Sequence, residues 1–150
     1  MAAYFLDTSA LVKRYVAELG TAWIRQLTDP TEKNEVFVAK ISGAEGTAAL
    51  VRQDPMLPNL SGLLADFKFD FQKQYRRLAL TNAVIVRAMR LAESYRLRGY
   101  DAVQLATAVE LHTARATAGL PPAVFVSADV ELNGAAKTES LVVDDPNAHP

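Results

Sequence analysis

The stretch AAYFLDTSALVKRY, residues 2–15, decides the fold class. Ala3 to Leu6 is short and apolar, as in a strand covered on both faces, and it stops at a carboxylate, Asp7. Thr8 and Ser9 follow, and then a helix-like run, Ala10, Leu11 and Val12. An acid at the end of an inner strand is costly unless something pairs with it. Asp7 therefore asks for a partner.

Outward from this stretch, strands alternate with helices. Residues 9–16 and 21–27 read as two helices parted at Gly20, and EVFVAK (35–40) reads as a second strand. Residues 42–52 are helix-like and are closed by the punctuation DPMLP at 54–58. From Leu60 the apolar positions Leu63, Leu64, Phe67, Phe71 and Tyr75 follow the spacing of a long amphipathic helix. Residues 77–80 give a very short third strand, 81–95 and 100–118 two further helices broken at Gly99, and AVFVS (123–127) and LVVDD (141–145) the last strands. No repeat or linker divides the chain, so one α/β domain is expected over residues 1–150, with 146–150 a short tail. Strands separated by helices pair in parallel beneath helices on both faces. Such sheets bind ligands beyond the carboxyl ends of their strands, where the strand order reverses. Asp7 and Asp129 both lie there.

Composition narrows the chemistry. The chain is 150 residues long with 22% charged residues and a net charge of −1, so it is not a globally basic nucleic-acid coat. It has no cysteine, which excludes thiol catalysis and thiolate metal sites. No secretory leader or apolar run of membrane-spanning length is visible, and a cytoplasmic protein without a membrane anchor is expected.

Four acids stand out. Glu45 in ISGAEGTAAL has Ile41, Ala48 and Ala49 as helical neighbours, which places it on the apolar stripe. Asp101 opens the apolar helix YDAVQLATAVEL, and with Gln104 it also reads as a capping box. Asp7 and Asp129 each precede a helix-like segment, where Thr8, Ser9 and Ser127 could cap instead. Two acids at strand ends and two on buried helix faces form a pattern that capping explains poorly. Converging carboxylates repel in a low dielectric, and a hard divalent cation, Mg²⁺ or Mn²⁺, resolves that repulsion with oxygen ligands. His112, well along a helix, and His149, in the tail, read as surface or packing residues rather than ligands.

The segments FLDTSALVKRY, AEGTAAL, LRGYDAVQLATA and VFVSADVELNGAA, in this order and spacing, resemble the PIN-domain nucleases, and within them the toxin ribonucleases of the VapC type. The resemblance spans essentially the whole chain, ending near LVVDDP. It implies a PIN-like three-layer fold with about five parallel strands, and it gives Asp7, Glu45, Asp101 and Asp129 the places of the catalytic, metal-holding acids. Ser9 matches a hydroxyl that helps arrange the first acid and the metal. Two departures stand out: Gln104 occupies a place where many relatives carry histidine, and Gly43 and Gly46 flank Glu45, lowering its helix propensity.

The expected activity is metal-dependent hydrolysis of RNA, leaving 5′-phosphate and 3′-hydroxyl ends because water, not the 2′-hydroxyl, attacks. Without the four acids, 13 acidic residues remain against 16 basic ones, a net of +3. Lys13, Arg14, Arg96 and Arg98 flank the motifs and are candidate RNA phosphate contacts. The resemblance further implies a cognate antitoxin. The apolar surplus of the early helices and the long helix, with Phe69 off its buried stripe, offers a surface for the antitoxin or for a homodimer. Three other readings compete. An Asp-nucleophile phosphohydrolase wants an acid where Ser9 stands, a receiver domain wants paired acids at the first strand end, and a non-catalytic RNA-binding or scaffold domain would keep the fold without the chemistry.

Overall fold

A computed structural model describes residues 1–53 and 56–150; two residues of the DPMLP break, 54 and 55, lie outside the described residues. The strands are β1 (Ala3–Leu6), β2 (Glu35–Ala39), β3 (Arg76–Leu78), β4 (Val124–Val126) and β5 (Val142–Asp144). The helices are α1 (Thr8–Leu11), α2 (Thr21–Leu27), α3 (Ser42–Gln53), α4 (Leu60–Lys73), α5 (Asn82–Tyr95), α6 (Gly99–Thr117) and α7 (Val130–Thr138). All four strand pairings are parallel and the order is β3-β2-β1-β4-β5. The expected α/β class and five-stranded parallel sheet are what the chain adopts.

Side-chain alternation explains why the sheet is covered twice. Phe5, Phe37 and Phe125 share one face and pack with Leu91, Leu105 and Leu132 of α5, α6 and α7. Their neighbours Leu6, Val38 and Val126 share the other face, with Leu11, Ile24, Leu50 and Phe67 of α1 to α4. Register puts Phe5 beside both Phe37 and Phe125, and the Phe5 and Phe125 rings stack at 5.8 Å. Burying such a side chain contributes about 1.5–3 kcal/mol, so the strands beneath the site form a stiff floor.

Order reverses between β1 and β4: the chain runs outward through β2 and β3 and then returns to the far side of β1. The crevice of this sheet therefore opens beyond Leu6 and Val126. Asp7 N–H continues the ladder onto the Val126 carbonyl at 3.1 Å, which pins the first acid at the lip of that crevice.

Several local expectations change. The helix expected over 9–16 is α-helical only to Leu11 and tightens into a 3-10 turn at Val12–Arg14, closed by Tyr15 N–H on the Val12 carbonyl. Asp7 and Asp129, rather than the neighbouring hydroxyls, are the N-caps of α1 and α7, accepting from the N–H groups of Ala10 and Leu132. The Asp101–Gln104 capping box does not form. Arg98 is the N-cap residue of α6, Asp101 lies inside the first turn, and Gln104 turns into the interior.

The tail also docks. Pro146–Ala148 makes a 3-10 turn, and His149 stacks on Trp23 at 4.0 Å while meeting Asp144 at 2.8 Å. Gly43 and Gly46 have a packing reason. A Cβ at either would meet Phe71 at 2.9 Å or Phe67 at 2.6 Å, so both glycines let α4 lie close on α3. α3 remains helical with Glu45 in its first turn.

Candidate functional site

A cavity of about 600 Å³ opens at the carboxyl ends of β1 and β4, and Asp7, Glu45, Asp101 and Asp129 all line it. Four separate elements bring them there. Asp7 ends β1, Glu45 comes from α3, Asp101 from α6, and Asp129 from the turn between β4 and α7.

Asp7 is the deepest, 3% exposed. Its Oδ1 accepts from Ser9 Oγ at 2.6 Å and from Ala10 N–H at 2.9 Å, and its Oδ2 accepts from Ser127 Oγ at 2.6 Å. Ser127 Oγ also accepts from Asp129 N–H at 3.1 Å, and Ser9 Oγ from Ala128 N–H at 3.1 Å. These two hydroxyls stitch the end of β1 to the end of β4. Ser9 thus bonds the first acid directly. Ser127 bonds it too, where the sequence offered Ser127 only as a capping candidate; its place two residues before Asp129, at the end of a strand, was the available signal.

Glu45 Oε1 accepts from Gln104 Nε2 at 2.8 Å, whereas no hydrogen bond from the described residues reaches the Asp101 carboxylate. Burial pushes the Asp7 carboxyl up to about 6, with the Asp129 charge adding to it against the three hydrogen bonds. Asp101 is likewise pushed up to about 6 by burial and by the charges of Asp129 and Asp7, with Arg98 pulling the other way. Burial also raises Glu45, aided by the Asp101 charge. Among the described residues, none of the four forms an ion pair with lysine or arginine.

These acids are all hard oxygen donors, and no direct ion pair among the described residues offsets their mutual repulsion. That chemistry fits a divalent cation of the Mg²⁺ or Mn²⁺ kind. Asp7 keeps one oxygen with a spare lone pair, and Asp101 keeps both oxygens free of hydrogen bonds from the described residues. No three acidic or histidine side chains among the described residues are already gathered into a closed metal-holding group. The donors line a wall rather than form a finished cage.

The basic residues separate. Arg96 and Arg98 lie on the cavity, joined by Arg52 and by Tyr100, whose hydroxyl accepts from Arg98 Nη1 at 3.0 Å. Arg52 escaped the sequence reading, although it stands seven residues after Glu45, two helical turns along the same face. Lys13 is not on the rim. It is 5% exposed and reaches Glu18 at 3.7 Å. Arg14 lines a second cavity, of about 550 Å³, where it meets Asp70 and donates to Thr28 Oγ1 at 2.8 Å. His112 and His149 lie outside the acid-lined cavity.

No protein-family model matches the chain, and no curated protein matches it in sequence. Solved structures do match in shape. PAE2754 from Pyrobaculum aerophilum, a PIN-domain protein, superimposes with a TM-score of 0.64 at 19% identity, over 99% of this chain and 92% of the other. VapBC2 from Rickettsia felis, solved with a DNA fragment from its promoter, gives a TM-score of 0.64 at 12% identity, over 95% of this chain and 98% of the other. No helix among the described residues is long and apolar enough to cross a membrane. At such identities the likeness is one of architecture, and by it the chain has the PIN-domain fold.

Proposed function

We propose that the chain is a divalent-cation-dependent ribonuclease acting as the toxin of a toxin–antitoxin pair. The observation that carries this reading is the convergence of Asp7, Glu45, Asp101 and Asp129, from four elements, on one cavity at the switch point of the sheet. A cation bound there would supply charge stabilisation at the scissile phosphate and an activated water. The chain's own residues do the rest. Asp7, fixed by Ser9 and Ser127, and Asp101 are the residues that would hold the cation. Arg52, Arg96 and Arg98 take flanking phosphates of the RNA on the rim, a positioning role that carries no base specificity. Hydrolysis by water leaves 5′-phosphate and 3′-hydroxyl ends.

The antitoxin reading draws on the likeness to VapBC2 and on the second cavity, lined by Arg14, Tyr15, Leu63, Asp66, Phe69 and Asp70. Phe69 is 58% exposed, as its place off the stripe suggested, whereas Leu11, Tyr15 and Phe67 are consumed by the core. The surface is therefore amphipathic rather than an apolar groove. It suits an antitoxin segment with mixed character, whose Arg or Lys could reach the acids, and it is equally open to a second copy of the chain. The test is cleavage of RNA by the purified chain with Mn²⁺ or Mg²⁺. Cleavage that stops with chelator and in Asp7→Asn supports the reading; cleavage indifferent to both refutes it.

One observation favours a non-catalytic RNA-binding or scaffold domain: Asp7 already has a structural task, capping α1 and joining β1 to β4. The same assay separates that reading. An Asp-nucleophile phosphohydrolase fares worse, because the position that needs its second acid holds Ser9, whose hydroxyl is given to Asp7.

A further inference from the structure

Gln104 is a buried amide, and the capping box in which the sequence placed it does not form. It is 2% exposed, lines the acid cavity and lies three residues after Asp101 on α6, hence on the same helical face. Its Nε2 donates to Glu45 Oε1 at 2.8 Å and to Ser42 Oγ at 2.9 Å, with Thr8 Oγ1 at 3.3 Å. Hydroxyls can donate or accept, but a carboxylate only accepts, so the N–H end of the amide must be the one facing ionised Glu45. The other end, Oε1, is buried with no hydrogen-bond partner among the described residues. An apolar side chain of similar volume would fill the position without stranding a carbonyl oxygen. Stability alone is thus a poor reason for an amide here, and the end that is used points at a candidate ligand.

We propose that Gln104 is a positioning residue for Glu45, holding that carboxylate at the cavity wall in the orientation in which it receives a divalent cation. This rests on the metal-binding reading above. α6 then serves the site twice, directly through Asp101 and, one turn later, through the donor that orients the acid of α3. Hydrogen bonds to ligating carboxylates matter in this way because they fix the lone pair presented to the metal.

The test is calorimetric titration with Mn²⁺ of wild type, Gln104→Leu, Glu45→Gln and the double variant, with folding checked by circular dichroism. Gln104→Leu should weaken Mn²⁺ binding by about 10-fold. In the Glu45→Gln background the same substitution should change affinity by less than about 2-fold, because there is no carboxylate left to orient. Gln104→Met serves if the leucine variant does not fold. Folded Gln104 variants that bind Mn²⁺ as tightly as wild type overturn the inference, as does an equal loss with and without Glu45. Wild type that binds no Mn²⁺ overturns the metal reading itself and this inference with it. Wild-type binding with unaffected variants overturns this inference alone.

Discussion

Asp7 and Asp70 are the same residue type in two cavities, and the chain treats them in opposite ways. Asp70 accepts from the Tyr15 hydroxyl at 2.8 Å and meets the Arg14 guanidinium at 3.4 Å. Burial, with Tyr75 and Asp70 beside it, holds the Tyr15 phenol well above its usual range, so Tyr15 stays a donor to that carboxylate. Asp7 is more deeply buried, yet among the described residues only hydroxyls and a backbone N–H reach it, and further acids share its cavity. A carboxylate given its own cation reads as architecture. Carboxylates gathered without one read as a site waiting for a cation from outside, which is why the comparison bears on function.

The largest effect should fall where the two regions differ most. Asp7→Asn and Asp101→Asn should each lower RNA cleavage by at least about 100-fold, more than is usual for losing a mere supporting contact. Asp70→Asn should leave cleavage within about 2-fold of wild type while costing roughly 1–3 kcal/mol of stability through the lost charged hydrogen bonds. Parallel cleavage and urea-denaturation measurements check both. If Asp70→Asn also abolishes cleavage in a folded protein, the division between the two cavities collapses.

Thermal scans with Mn²⁺ sharpen the contrast. At a hundredfold excess over Kd, the cation should add about 2.7 kcal/mol to the stability of wild type and of Asp70→Asn. Asp7→Asn should gain much less, while being the more stable protein above pH 6 without metal, since one repelling charge is gone. Equal Mn²⁺ stabilisation of both variants would count against the acid cluster.

Without metal, the protein should also become less stable as pH rises from about 4 to above 6. Asp7 and Asp101 are raised from 3.8 to about 6, so between those values the folded chain keeps protons that the unfolded chain has released. Their contribution is complete below about 4 and lost as pH passes about 6; for Asp7 alone it amounts to about 3 kcal/mol. Asp7→Asn should flatten that slope, measured as denaturation midpoint against pH.

The smallest effects belong to the rim. Arg52→Ala, Arg96→Ala and Arg98→Ala should each weaken RNA binding across sequences and lower the salt slope by about 1. Arg14→Ala, which lies in the other cavity, should leave the slope unchanged in a filter-binding series.

How far the sequence alone could reach follows from what each signal encodes. Phe5 and Leu6, Phe37 and Val38, Phe125 and Val126 alternate at period two and lie between helical segments, so the strands and their parallel pairing were legible. That Asp7 and Asp129 would meet at one crevice was legible for the same reason, since the end of a strand is a place that topology defines. Gln104 was misread because Asp-x-x-Gln satisfies a local capping pattern, while the face that α6 turns inward is decided by packing on a distant part of the chain. Lys13 and Arg14 were expected on the rim because they follow the first motif. The tightening at Val12–Arg14 instead carries Lys13 inward and Arg14 to the second cavity, and nothing in KRY announces a 3-10 turn. His149 lacked any local cue for stacking on Trp23, a contact that exists only once the tail has folded back onto α2.

The acid cavity, and not the Asp70 cavity, is proposed to hold a divalent cation. A crystal soaked in Mn²⁺ and measured for anomalous scattering tests it most directly. A peak is expected about 2.1 Å from carboxylate oxygens of Asp7 and of at least one of Asp101, Asp129 and Glu45, with none beside Asp70. A fully soaked crystal with no peak among the four acids, or with its peak at Asp70, would contradict it.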